Sequence, residues 1–269
     1  MIEKDKVLSI FLVVSLSLSI FLGINITNKD TSSKEEITAT GLSEDEISDA
    51  NKLIQRHEDI IKSSSFIYNT TTVRNFQNGT LLQQKDESIK MENSSNFLLK
   101  ASSRGENNKL RYFSSNRVEY YADGEKVIGK LYKNNKTRYH VPTSARGEPI
   151  KPRQWLSQDP ANSDQLYMIL SLAKNETVRE ISHSGEEKRY KISIIEFVET
   201  PNIYNEEHTN INSMKSEIIV DKWGMVQRYS IEFESSLDGK TIYTKVEKEY
   251  KNIDKTTVSA PNWFKNKTI

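Results

Sequence analysis

Alternation of apolar and polar residues is most regular near the C-terminus, between Ser213 and Phe264. There Met225, Tyr229, Ile231 and Phe233 alternate with Val226, Arg228, Ser230, Glu232 and Glu234, which gives a strand with one apolar and one largely charged face. Glu217 to Val220 precedes it through the turn Asp221-Lys222-Trp223-Gly224, and Leu237-Asp238-Gly239-Lys240 follows it with the Asp-Gly pair that favours a tight hairpin. The next strand repeats the pattern, with Ile242, Thr244, Val246 and Tyr250 on one side and Tyr243, Lys245, Glu247 and Glu249 on the other. A sheet that is apolar on one face needs a cover for that face.

Upstream, Ile47, Ala50, Leu53, Ile54, His57, Ile60 and Ile61 recur at three- and four-residue spacing and predict an amphipathic helix. Ser43 is positioned as its cap and Glu46 as the partner in a capping box. Short strands are expected at 66–73, 88–92, 97–102, 110–114, 118–122, 126–133 and 137–141, punctuated by Asn78-Gly79, Asp123-Gly124 and Asn134-Asn135. Pro142, Pro149, Pro152 and Pro160 then make a connection unsuited to a sheet. A second helix, capped by Asn162 or Ser163, carries Leu166, Ile169, Leu170 and Tyr167 inward and runs to about Asn175. Strands resume over 177–181 and 189–198, and 199–212 reads as a polar loop. No helical crossovers of the kind a parallel sheet requires appear among the strands, so the pattern predicts α+β with an antiparallel meander.

Ahead of this region, Val7 to Ile24 is an uncharged run of 18 residues, long enough as a helix to cross about 27 Å of the roughly 30 Å hydrocarbon core. Its length and the poor small-x-small site at Gly23-Ile24-Asn25 favour an uncleaved anchor over a cleaved signal peptide. The organisation expected is an anchor over 1–24, a Ser/Thr/Lys/Glu-rich tether over 25–40, and one extracytoplasmic domain over 41–269, in a single-pass cell-membrane protein. Asn-x-Ser/Thr sequons at Asn25, Asn69, Asn78, Asn93, Asn135, Asn175 and Asn266 agree with an outside location, and also arise readily by chance in a chain rich in these residues.

Charge and chemistry narrow the classes. With 38 basic and 37 acidic residues and no basic stripe, the chain lacks the footprint of a nucleic-acid binder. Zero cysteines exclude disulfides, thiolate metal sites, a cysteine nucleophile and a lipidated cysteine. There is no Gly-x-Ser-x-Gly elbow, His-Glu-x-x-His pair or phosphate-binding glycine loop. Glu206-Glu207-His208 reads as a solvated loop rather than a metal site, and His140 and His183 have no partner in sequence. No cofactor or metal is expected, and an enzyme is the weakest of the functional classes. Aromatic residues, among them Tyr120, Tyr132, Trp155, Tyr167, Tyr229 and Phe233, are the candidates for lining an apolar cavity; as single residues each also fits an ordinary core.

Several local patterns occur together in order: Gly41-Leu42-Ser43 before the helix with His57, Tyr120-Tyr121-Ala122-Asp123-Gly124 followed by Thr137-Arg138-Tyr139, Ile219 to Val226 around Trp223-Gly224, and the ending Ser259-Ala260-Pro261-Asn262-Trp263-Phe264. In this arrangement the chain resembles an uncharacterised family of archaeal cell-surface lipoproteins, and in architecture the larger group that includes the lipoprotein carrier LolA, the regulator RseB and mycobacterial lipid-binding lipoproteins. The resemblance implies a half-barrel: a curved antiparallel sheet whose concave face is closed by helices and holds acyl chains. Lipoproteins of that family are lipidated on an N-terminal cysteine that this chain lacks, so the Val7 to Ile24 run would take over the anchoring. The expected function is binding of a lipid or the acyl chain of a lipidated protein; the alternative is a cell-surface sensor or interaction module with a filled core.

Overall fold

The computed structural model describes residues 39–43, 45–106, 115–133, 136–155, 160–181, 187–199, 210–237 and 239–265. The Val7 to Ile24 run, the expected strand at 110–114, and Asn25, Asn135, Asn266, Glu206, Glu207, His208 and His183 lie outside them.

Among the described residues, eleven strands form one curved antiparallel sheet beside a few helices, an α+β architecture. Helix α1 (Ala50–Ser63) leads into β1 (Phe66–Phe76), β2 (Leu81–Asn93), β3 (Asn96–Arg104), β4 (Arg117–Asp123), β5 (Val127–Lys133) and β6 (Lys136–His140). Two short helices, α2 (Pro152–Trp155) and α3 (Ser163–Ser171), precede β7 (Ala173–Glu180), β8 (Arg189–Phe197), β9 (Asn210–Asp221), β10 (Val226–Leu237) and β11 (Lys240–Lys251), and α4 (Asn262–Lys265) follows. The spatial order is β6-β5-β4-β3-β2-β1-β11-β10-β9-β8-β7. The chain therefore starts at the centre, meanders to one edge, crosses to the other and returns, closing β1 against β11 with Tyr68 opposite Tyr250. That single crossing lies between β6 and β7, where four prolines forbid another strand. It is also where α2 and α3 sit, so the topology places helices on the sheet.

Helix α1 begins later than the capping-box pattern predicts. Asp49 is extended and its carboxylate accepts from the Lys52 N–H at 3.0 Å, so an equally good cap nearer the apolar stripe takes the start. The segment before it folds back instead: Leu42 bridges Ile47, and the Ser43 N–H donates to the Glu46 carbonyl at 3.0 Å. Gly41 makes this possible, since φ is +85° and a Cβ there would lie 2.4 Å from the Asp49 carbonyl oxygen. Helix α3 also ends earlier than expected, at Ser171, and β7 has begun by Ala173. Strand β9 starts at Asn210, inside the segment read as a loop, because pairing with β10 carries its polar first residues.

Alternation along the strands separates two faces. On the outward face of β8 to β11, Lys215, Glu232, Lys245, Glu247 and Arg228 form a cross-strand chain of ion pairs between 2.8 and 3.4 Å; exposed as they are, each contributes little to stability. The inward face of the same strands packs on α1 and α3, with Leu53, Ile54, Leu166 and Ile169 against Ile192, Ile218, Tyr229 and Ile231.

Candidate functional site on the helix-covered face

Register fixes what this face presents. Under α3 and the first half of α1 lies the apolar sector just described, which also holds Phe233. Beside it, at the centre of the sheet, Ile61 of α1 meets Phe66, Tyr68, Ile89, Met91 and Tyr250. A third sector, on β3 to β5, gathers Phe97, Val118, Tyr120 and Val127 against Trp155 of α2. Across β1, β2 and β11 the same face becomes polar further along the strands: Thr70 stands between Glu87 and Lys248, Thr72 between Lys85 and Val246, and Arg74 between Gln83 and Thr244. Burial pushes the Glu87 carboxyl above its usual range, and Lys248 opposes that shift.

The cover is held by a small set of polar contacts. His57, fully buried on α1, donates from Nε2 to the Ala161 carbonyl at 3.0 Å and accepts the Val226 N–H at Nδ1 at 3.3 Å. These bonds require the neutral imidazole with its proton on Nε2. One side chain thus ties α1 to Ala161, two residues before α3, and to the first residue of β10. Asn162, in the left-handed conformation at φ 53°, offers no cap to α3. Its side chain donates to Tyr250 Oη at 2.9 Å and accepts from Tyr68 Oη at 3.2 Å and Lys248 Nζ at 2.6 Å. Tyr250 Oη in turn donates to the Pro160 carbonyl at 2.9 Å. Within α3, Gln165 accepts from Tyr229 Oη at 2.9 Å and from Lys248.

At the other end of the face, Tyr120 stacks on Trp155 with ring centroids 4.7 Å apart and meets the edge of His140 at 5.5 Å. Tyr120 Oη and His140 Nε2 are 3.3 Å apart. Gly129 lies beneath: a Cβ there would come within 2.4 Å of His140 Cε1 and 2.6 Å of Tyr120 Cε1, so the cluster depends on its missing side chain. Burial raises the Tyr120 phenol well above its ordinary range and lowers the His140 imidazole below its own. Burial thus favours the neutral form of both groups, which suits an apolar lining. Among the described residues no three His, Asp or Glu side chains group to hold a metal ion.

Of the six aromatic candidates, the fold joins Tyr120 with Trp155 and brings Tyr229 and Phe233 together under α3. Tyr132 goes to the opposite face, since β5 alternates and Gly129 and Leu131 hold the helix side; its hydroxyl donates to Glu119 at 2.9 Å, with Arg117 and Lys130 over the ring. Tyr167 is 48% exposed on α3, turned away from Leu166 and Ile169. None of the six borders the open groove of about 670 Å³ at the tips of the β1–β2 and β10–β11 hairpins, where Phe76, Asn78, Thr80 and Lys240 face one another. His57, Asn162, Lys248 and His140 were not foreseen as a set. Only the position of His57 on an apolar stripe signalled one of them. Among the sequons, Asn78, Asn93 and Asn175 are exposed, whereas Asn69 is half-buried within β1.

Architecture and site together define an extended antiparallel sheet with a helix-capped, largely apolar face. The chain belongs to a family of unknown function, DUF7537, over residues 7–267. No curated protein matches it in sequence. Among solved structures it is similar to LprF from Mycobacterium bovis, at 11% identity over 79% of this chain and 96% of that one, with a TM-score of 0.39. The lipoprotein LppX from Mycobacterium tuberculosis is similar at 11% identity, 79% and 98% coverage and a TM-score of 0.39. A LolA superfamily protein from Nitrosomonas europaea is similar at 8% identity, 81% and 97% coverage and a TM-score of 0.27. Among the described residues no helix is long and apolar enough to cross a membrane.

Proposed function

We propose that this is a membrane-tethered, extracytoplasmic binding protein, and not an enzyme, which shelters a hydrophobic ligand such as a lipid or a lipoprotein acyl chain on its helix-covered face. The observation that carries this reading is the make-up of that face: apolar sectors under α2 and α3, Tyr120 and His140 with their neutral forms favoured by burial, and a polar band beside them that suits the head of an amphiphile. Each methylene moved from water onto such a face contributes about 0.8 kcal/mol. Helices α2 and α3 serve as the lid, α3 held through Asn162 and Gln165 by hydrogen bonds that can reform elsewhere. Anchoring falls to the Val7 to Ile24 run, with the folded part outside the cytoplasm, and the exposed Asn78, Asn93 and Asn175 are the sequons open to glycosylation. A second reading, a protein-interaction module with a filled core, is favoured by the packing of Tyr229 and Phe233 against the helices.

Lipid uptake by the full chain separates the two. Trp155→Ala, on a half-buried residue of the lid, is expected to change uptake of a fluorescent long-chain lipid several-fold, whereas Tyr243→Ala, on the outward face of β11, leaves it unchanged. Equal uptake by both variants and the parent chain, or none by any, removes the ligand-binding reading.

A further inference from the structure

The β9–β10 turn carries a cluster that the ligand-binding face does not use. Asp221 shapes it, its Oδ1 accepting the N–H groups of Trp223 at 2.9 Å and Met225 at 3.0 Å. The Trp223 indole is left 56% exposed, the Lys222 ammonium stands 4.8 Å from its ring centre, and Arg56 Nε donates to the Trp223 carbonyl at 3.1 Å. Lys222 is also 3.4 Å from Glu187, itself largely exposed. An exposed tryptophan framed by lysine and arginine has the chemistry of a membrane–water interface, where an indole sits at headgroup level and cations meet anionic lipid.

Position supplies the second observation. Gly224, at φ +83°, is packed so that a Cβ would lie 3.0 Å from Arg56 Cγ and 3.4 Å from Thr40 Cβ. The turn thus touches Thr40, and the adjacent Ala39 is buried in the core. Only the 14 residues 25–38 separate Ala39 from the apolar run Val7 to Ile24, and even a fully extended chain of that length reaches no further than about 50 Å. If a bilayer holds that run, this end of the domain is the part joined to it by the shortest stretch of chain.

We propose that the Trp223 turn docks on the lipid surface that holds the anchor, with the indole among the headgroups and Lys222 and Arg56 toward anionic lipid. The proposal rests on the reading of Val7 to Ile24 as a membrane anchor. The test is tryptophan quenching of the full chain in vesicles of phosphatidylcholine and phosphatidylglycerol, plain or brominated high on the acyl chains. Subtracting the emission of Trp223→Phe isolates Trp223 from Trp155 and Trp263. Brominated lipid is expected to lower the Trp223 share about twofold or more, as for an indole at the interface, and Lys222→Glu to weaken the effect. Trp223 emission equal in plain and brominated vesicles overturns the proposal, and so does shielding from aqueous acrylamide without bromine quenching, which would mean a protein contact. Flotation with the vesicles separates the two readings: a chain that does not float contradicts the anchor itself, while a chain that floats with Trp223 unquenched contradicts the docking alone.

Discussion

His57 shows how much of the assembly rests on one side chain. It satisfies a backbone carbonyl before α3 and a backbone N–H on β10 from the interior of the molecule. His57→Leu keeps the volume and removes both bonds, so a loss of about 2–4 kcal/mol is expected in urea denaturation; a loss below about 1 kcal/mol would show that these bonds are replaced by other partners. Glu87 acts in the opposite sense. Its carboxyl is raised in the folded chain, chiefly by burial, so folding favours the protonated form and stability falls as pH rises through the folded value. Glu87→Gln is therefore expected to stabilise the chain at neutral pH and to matter little well below pH 4. The reverse order across a pH series of denaturation midpoints would contradict that assignment. Sequence placed His57 correctly on the buried stripe, but not its bonds, since Ala161 and Val226 are remote along the chain and no local pattern announces them. Asn162 shows the same limit: it reads as a cap, yet its side chain serves two tyrosines and a lysine that only the sheet register brings near.

Among the elements, the C-terminal segment acts as a strap on the face away from the helices. Its backbone is fastened to Ser65 at Asp254 and Thr256, at 2.8 and 3.0 Å. Trp263 Nε1 then donates to Glu119 at 2.9 Å, and Phe264 meets Tyr121 edge-on at 4.6 Å. Burial pushes the Glu119 carboxyl up, but hydrogen bonds from Tyr132 and Trp263, with Lys100 and Arg117 nearby, hold it below its ordinary range. A carboxyl lowered in this way stabilises the fold above its unfolded value, about pH 4.3, and that contribution is lost as pH falls through the lower folded value. Trp263 emission, followed with Trp155 and Trp223 replaced by Phe, is expected to shift to the red in that acid window, and Glu119→Gln to remove the pH dependence; a shift that persists unchanged in Glu119→Gln would place the cause elsewhere. Period-two alternation and turn residues made most of the strands legible, and the amphipathic stripe made α1 so. Element ends were less so. Asp49 outcompeted Ser43 as a cap, and pairing with β10 drew polar residues of β9 into the sheet. The run from Ser259 to Phe264 was recognisable as a motif, but its docking on β4 depends on Tyr121 facing outward beside Ile128, an apolar pair on what the pattern assigns to the polar side.

For the whole molecule, topology links the sheet to its proposed use. A chain that meanders outward from the centre and must return from the far edge has one long crossing, and prolines make that crossing a strap of short helices over the apolar face. The antiparallel meander with helices on one face could be read from sequence. The join of β1 to β11, which places Thr70, Glu87 and Lys248 side by side, could not, because it pairs residues as far apart in sequence as Thr70 and Lys248. The most direct test of the central claim is native mass spectrometry of the full chain purified from its own host and released from detergent, followed by solvent extraction of what it carries. A lipid-sized adduct at one-to-one stoichiometry, diminished in Trp155→Ala, is the predicted result. A bare polypeptide mass that takes up no added lipid would contradict the account and leave the interaction module in its place.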